Sequence, residues 1–248
     1  MLKNAIVKLR SRANGSVKIE TKAEKLFERI KVVVKKDNNV VFHNEYITNP
    51  TDVFVGDFFI KSPRLWSLSH PELYEYSVEI AYTDGEKETL SGRFGFREIG
   101  QNGKNITING KSVYIRGYIR GAKAHDHANL LGLSLKDFYL KNLREAKKFG
   151  FNYVRFHSVV PEEELFEAAD EVGMLVHVEL RPPHDIYNNL EEMVTTGSAI
   201  VPEEFLCETV DRCFNHPSFA VYCIGNEIKR ASADDIRKIR EKIDELDG

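Results

Sequence analysis

Val221-Tyr222-Cys223-Ile224-Gly225-Asn226-Glu227 reads as a short buried strand that stops abruptly in Gly-Asn-Glu. Val221 to Ile224 are β-branched, aromatic or small and apolar, a run that suits a strand covered on both faces, as in a parallel sheet. Gly225 releases the backbone, and Asn226-Glu227 place an amide and a carboxyl group just past the strand end. In α/β architectures that carboxyl edge is where chemistry is done. Upstream, Asn215-His216-Pro217-Ser218 marks the close of a helix and a turn into the strand, because Pro217 disfavours helix at His216.

Working outward, the sequence from residue 100 alternates strand and helix patterns. Val113 to Gly117 leads into a loop, and Ser134 caps a helix running to Phe149 with Gly150 as its stop. Asn152 to Phe156 is a strand, Pro161 opens a helix that Gly173 closes, and Met174 to Glu179 is a third strand. A long loop to Val201 and a helix from about Pro202 to Phe214 precede the strand that ends in Glu227. A last helix, Ser232 to Leu246, again starts on a cap. By the right-handed crossover rule, these four units predict four parallel strands with helices outside. A closed (β/α) barrel needs eight units and about 250 residues, so the expectation is half a barrel. A doubly wound sheet fits less well, because the loops lack a Gly-rich phosphate fingerprint.

The first hundred residues read differently. Val17 to Glu20, Ile30 to Val34, Val40 to Phe42, Val53 to Val55, Phe58 to Ile60 and Tyr74 to Tyr82 are strand-like, with turn signals at Asp37-Asn38-Asn39 and Asp84-Gly85. Six or seven short strands without an amphipathic helix predict an immunoglobulin-like β-sandwich over residues 1–99, followed by the partial barrel over 100–248. Asn109-Gly110 predicts a small hairpin at the junction.

Composition excludes several classes. The net charge of -3 comes from 35 basic and 38 acidic residues spread over 248, so no basic field invites nucleic acid or an acidic membrane. No apolar run approaches the roughly 20 residues of a membrane span, and Met1-Leu2-Lys3-Asn4 does not lead into a signal-peptide core, so the expectation is the cytoplasm by default or else a targeting segment outside this sequence. Cys207, Cys213 and Cys223 lack CxxC spacing and read as small buried apolar residues rather than a nucleophile or metal site.

An ordered series of motifs carries a resemblance. Leu65-Trp66-Ser67, Gly95-Phe96-Arg97, Arg116-Gly117, Asn152 with Val154-Arg155, Ala169-Asp170 with Gly173 to Val176, and Asn215 to Ser218 with Gly225-Asn226-Glu227 together resemble glycoside hydrolase family 2. That is the family of β-galactosidases, β-glucuronidases and β-mannosidases. The resemblance implies an immunoglobulin-like sandwich followed by a TIM barrel that hydrolyses O-glycosidic bonds with retention, on a carbohydrate substrate and without cofactor or metal. It implies that Glu227 is the general acid/base and that Asn226 holds the sugar 2-hydroxyl. A carboxylic acid beside an amide at a barrel mouth can protonate the leaving oxygen while the amide fixes the ring. Burial would have to raise the Glu227 pKa for that role. The competing reading of Glu227 is a solvated carboxylate capping the loop.

Arg155 would lie under the sugar and pair with a carboxylate, or else form an ion pair at the barrel bottom. His157 sits two residues on, where the family more often has Arg-Thr-Ser-His. His125-Asp126-His127 resembles the acidic, His-containing loop after the first barrel strand, read as substrate-loop contact or plain surface exposure ahead of a metal site. His177 and Glu179 alternate to one face, toward the site or within a polar barrel layer. Trp66 reads as sandwich core.

The retaining mechanism needs a second carboxylate about 5 Å from the first. In the family it lies on the seventh strand, and an amino-terminal sugar-binding sandwich usually comes first. The expectation is therefore the acid/base half of a longer enzyme, inactive alone, with an unpaired strand edge and an open apolar interior that predict a homo-oligomer or a complementing half barrel. The alternative is a non-catalytic carbohydrate-binding or assembling half barrel.

Overall fold

A computed structural model describes residues 5–121, 124–157, 159–180, 203–225 and 232–247. The chain divides into two compact units, one of residues up to Val113 with Asn215–Pro217, the other from Tyr114 to Phe214 and from Ser218 onward.

The first unit is built on β1 (Ala5–Ser11), β2 (Ser16–Lys36), β3 (Asn39–Phe59), β4 (Tyr74–Tyr82) and β5 (Lys87–Phe94), in the order β1-β2-β4-β5 with β3 also paired to β2. All four pairings are antiparallel. One core runs through it, from Val7, Leu9, Val17 and Ile19 to Ile30, Val32, Val78, Phe94 and Phe96. Trp66 is fully buried, as its sequence context predicts.

The short strands expected before residue 60 are in fact two strands of 21 residues each. The reason is a change of parity. Val17, Ile19, Thr21, Ala23 and Phe27 are buried, then Ile30, Val32 and Val34, and an irregularity in the pairing between Phe27 and Arg29 makes the switch. A bulge of this kind moves the buried face from odd to even positions without ending the strand, so in sequence it looks like a strand end. The turn joining β2 to β3 matches expectation. Asp37 and Asn38 both take positive φ, 50° and 64°, the geometry of the two-residue turn whose twist suits a hairpin. Asn109-Gly110, at 51° and 74°, does the same between β7 (Asn105–Ile108) and β8 (Lys111–Val113), which form a small sheet with β6 (Ile99–Asn102).

Within the same unit, the motif residues of the first hundred positions meet those near 215. The backbone N–H of Leu9 donates to Asn215 Oδ1 at 2.8 Å, and Arg97 Nε donates to the Pro217 carbonyl at 2.9 Å. A Cβ on Gly95 would lie 2.8 Å from Pro217 Cγ, so only glycine fits there without a shift.

The second unit is a parallel sheet of β9 (Gly117–Arg120), β10 (Tyr153–Phe156), β11 (Leu175–Glu179) and β12 (Phe219–Cys223) in unbroken sequence order. A doubly wound sheet reverses its order at a switch point, and none occurs among the described strands. The first barrel strand starts at Gly117, the last residue of the stretch that reads as leading into a loop, and α1 (Ala124–Leu130) lies where the sequence reads as loop before the Ser134 cap. Then follow α2 (Leu135–Lys148), α3 (Glu163–Val172), α4 (Glu203–Cys213) and α5 (Ala233–Asp247).

Their ends follow local chemistry. Asp137 N–H donates to Ser134 Oγ and Asp235 N–H to Ser232 Oγ, both at 3.1 Å, two N-caps in the predicted places. Gly173 ends α3 in the left-handed conformation at φ 75°. Val154, Phe156, Val176 and Val178 turn one face of the sheet onto Phe138, Leu143, Leu165 and Phe166. Asn152 ties the strand starts together: its Oδ1 accepts from Arg116 N–H and its Nδ2 donates to the Tyr114 carbonyl. Asp170 Oδ1 accepts from Ser218 N–H at 2.9 Å in a buried position just before β12. Both motif residues thus hold the scaffold by satisfying backbone groups.

Candidate active site

Alternation along the parallel strands places Gly117 and Ile119, Tyr153 and Arg155, His177 and Glu179, and Val221 and Cys223 on the face opposite the helix-packed core. An open apolar interior was expected; among the described residues this face is mixed, with four polar side chains at its centre. The cause is the sequence of β10 and β11, where Val154, Phe156, Val176 and Val178 all go to the helices and leave Tyr153, Arg155, His177 and Glu179 for the other side.

Two polar pairs organise that face. Arg155 Nη2 donates to Glu179 Oε2 at 2.8 Å, with the Glu179 side chain fully buried and that of Arg155 27% exposed. Arg155 lies in register with His177, so the guanidinium reaches diagonally to the residue at the carboxyl end of the next strand. A buried carboxylate of this kind requires its cation, because desolvation without a partner costs several kcal/mol, on the order of 3–5 when a buried pair is broken. Beside it, the Tyr153 hydroxyl and His177 Nδ1 share a hydrogen bond of 2.7 Å. Burial pushes the Tyr153 hydroxyl up to about 12, with the neighbouring Cys223 adding to the rise. Burial also lowers the His177 pKa, and the Arg155 charge lowers it further against the opposing pull of Glu179. His177 is therefore a neutral imidazole near pH 7, and its Nε2 is buried without a hydrogen-bond partner among the described residues.

The residues singled out by sequence fall in three places. Arg155 is at the centre of the polar face, and Glu179 joins it there. His157 is exposed just beyond β10, its N–H donating to the Arg120 carbonyl at 2.8 Å. His125 and Asp126 are exposed on α1. His125 Nε2 lies 3.2 Å from Glu162 Oε1, and Glu162 also accepts from the Tyr139 hydroxyl at 2.6 Å. Burial and then the hydrogen bond to Glu162 raise the Tyr139 pKa, which keeps that hydroxyl a donor. Asn226 and Glu227, and the loop from Arg181 to Val201, lie outside the described residues.

Tyr153 was not picked out from sequence. The signal was present, since it stands two positions before Arg155 and period-two alternation puts both on one face. The three cysteines are free thiols, with Cys213 buried among the helix contacts.

Known proteins share this fold. The profile described as "Glycosyl hydrolases family 2" matches residues 3–97, and "Glycosyl hydrolases family 2, TIM barrel domain" matches 99–248. The β-galactosidase of Kluyveromyces lactis is 25% identical over 233 residues, covering 82% of this chain and 22% of that protein. The β-glucuronidase of Streptococcus agalactiae is 26% identical over 187 residues, covering 68% and 29%. Among solved structures, β-glucuronidase of Parabacteroides merdae superposes with a TM-score of 0.73 at 22% identity, covering 98% of this chain and 33% of that one. That of Dictyoglomus thermophilum gives 0.70 at 20% identity, covering 99% and 42%. The chain thus spans well under half the length of these relatives. The shared fold and the two consecutive profile matches, the second alone taking in more than half of the sequence, make this chain a member of glycosyl hydrolases family 2.

Proposed function

We propose that this chain serves the hydrolysis of O-glycosidic bonds on a carbohydrate substrate, carrying the acid/base half of a retaining site, with the sandwich over 1–99 and the partial barrel over 100–248. Glu227 is the general acid and then base, Asn226 holds the 2-hydroxyl, and the Arg155–Glu179 pair forms the polar floor beneath the sugar. His157, His125 and Asp126 contact substrate from the strand end and from α1. The observation that carries this reading is the Arg155–Glu179 ion pair, because Glu179 is in register with Cys223, three positions before Asn226. Charged side chains at the carboxyl ends of adjacent barrel strands are where this architecture does its chemistry.

In the first step the protonated Glu227 carboxyl gives its proton to the glycosidic oxygen as a second carboxylate, supplied from outside these four strands, attacks the anomeric carbon. The Glu227 carboxylate then takes a proton from an incoming water as its oxygen bonds to the anomeric carbon, which breaks the bond to the second carboxylate and releases the sugar.

Aryl β-galactoside, β-glucuronide and β-mannoside are the substrates to try, with the chain alone and with a polypeptide supplying four further strand-helix units. Turnover only in the complemented sample, falling about 10²–10⁴-fold in Glu227→Gln, supports the assignment. Unchanged turnover in Glu227→Gln overturns it. Saturable sugar binding lost in Asn226→Ala, without turnover in either sample, favours a carbohydrate-binding module instead.

A further inference from the structure

β3 is 21 residues long and pairs along one edge with β2, while its other edge has no strand partner among the described residues. An open edge offers its backbone N–H and C=O groups to any second strand, and folds normally blunt it with lysine, proline or a bulge. β3 contains no lysine or arginine, and its proline, Pro50, lies outside the segment from Val41 to Ile47. That segment is the regular part of the strand. Its register with β2 slips between Val34 and Lys35, at Val41, and again past Arg29, which stands opposite Ile47.

The side chains leave this edge unfinished. Val41, at 41% exposure, and Ile47, at 78%, stand on the outer face with the exposed His43 and Glu45 between them. On the core face Phe42 stacks on Phe58 at 4.3 Å between ring centres and Tyr46 tilts against Phe54 at 4.9 Å, yet Phe42 and Tyr46 are only half-buried. The core of the first unit thus runs out to the open edge without being closed by it.

One antiparallel register of the segment with itself satisfies these side chains. Opposed residues in a sheet share a face, so a strand pairs with its own copy only about a two-fold axis through a residue. Centred on Asn44, the midpoint of the segment, the axis sets Val41 against Ile47, Phe42 against Tyr46 and His43 against Glu45, each pair occurring twice. Centred on His43 it sets Val41 against Glu45; centred on Glu45 it brings the two carboxylates together. Glu45 meets Arg29 of its own chain through Oε1 at 3.4 Å and stands opposite Lys31 on β2. Those cations offset the Glu45 of the other copy, a diagonal neighbour about 7–8 Å away, while Oε2 accepts from the opposed His43 ring. On its own β2, His43 faces only Val33.

We propose that two copies of this chain associate through β3, antiparallel from Val41 to Ile47 about a two-fold axis at Asn44, so that their sheets run on as one. The occupant of the edge is a second copy because the segment complements itself in charge and in apolar and aromatic pairing at a single register. The interface stands on the sandwich and is independent of the barrel chemistry proposed above. A contact about 24 Å long is smaller than a standard interface, so the dimer is reversible, with a dissociation constant of about 10–100 µM.

The test combines sedimentation velocity of the full chain over a concentration series with directed disulfide formation. The parent chain should pass from monomer to dimer as concentration rises, and Ile47→Lys should raise the dissociation constant at least tenfold. Asn44→Cys should oxidise to a covalent dimer, because opposed residues in an antiparallel pair have Cα atoms about 4.5–5.5 Å apart, inside disulfide reach. His43→Cys and Glu45→Cys should each stay unlinked, since each lies about 7–8 Å from its own copy, but an equimolar mixture of the two should cross-link. The parent, with its three native thiols, is the oxidation control. A monomer at every concentration, a dimer unmoved by Ile47→Lys, or an Asn44→Cys variant no more cross-linked than the parent overturns the proposal. Asn44 is exposed, so its variant keeps the test open should Ile47→Lys disturb folding.

Discussion

Arg155 on β10 and Glu179 on β11 form a 2.8 Å ion pair in which the carboxylate is wholly removed from solvent. Replacing Glu179 by Gln keeps the shape and removes the charge that offsets the desolvation of Arg155. Because the guanidinium retains some exposure, the loss should sit at the lower end of the roughly 3–5 kcal/mol seen when buried pairs are broken. Urea unfolding at pH 7 measures it; a midpoint within error of the parent chain would show that the pair carries no stability.

The hydrogen bond between Tyr153 and His177 supplies a smaller, separable contribution. Tyr153→Phe leaves an imidazole nitrogen without its partner and should cost about 1 kcal/mol, within the usual range for one such bond. In a double-mutant cycle with His177→Gln the two losses should not add, giving a coupling of at least about 0.5 kcal/mol. Additive losses would mean that the bond does not form in solution.

His177 also makes stability depend on pH. Its folded pKa lies below the ordinary value, through burial first and the Arg155 charge second. The unfolded chain therefore binds the proton more readily. The contribution is complete above the ordinary histidine value of about 6.5 and is lost as pH falls from there through the lowered folded pKa. Denaturant midpoints at pH 7.5 and pH 5.5 should fall further apart in the parent chain than in His177→Gln. An equal fall in both would assign the acid sensitivity to other groups.

Gly15 is a position where a single methyl group should be expensive. Its φ is +99°, and a Cβ built there would run into the Ile60 carbonyl oxygen, a backbone atom just past the end of β3. Gly15→Ala combines backbone strain with a clash that no side-chain rotation relieves, and each of these costs about 1–3 kcal/mol. Gly85→Ala is a suitable control, since it has a similar φ of +88° but open space around the new Cβ. Thermal unfolding should rank Gly15→Ala well below Gly85→Ala; the reverse order would mean that the turn at Gly15 rearranges without penalty.

The sequence by itself determined what short-range chemistry controls. The caps at Ser134 and Ser232, the left-handed stop at Gly173 and the paired positive-φ turns at Asp37-Asn38 and Asn109-Gly110 are all local, because the groups that satisfy them lie within a few residues. So is the succession of four strand-helix units, which left sequential parallel pairing as the natural arrangement. Asn226 and Glu227 stand out as candidates from their place after a strand, and both lie outside the described residues.

Tertiary structure decided whatever depends on strand register. The parity change in β2 is invisible in one strand and becomes a bulge only against its partners β3 and β4, so two long strands looked like several short ones. Arg155 could have met any carboxylate near the strand ends. The diagonal reach to Glu179 follows from Arg155 pairing in register with His177, as does the closeness of Tyr153 to that imidazole. A sequence sets which side chains share a face, while the offset between neighbouring strands sets which of them touch, and that offset is fixed by helices packing on the far side of the sheet.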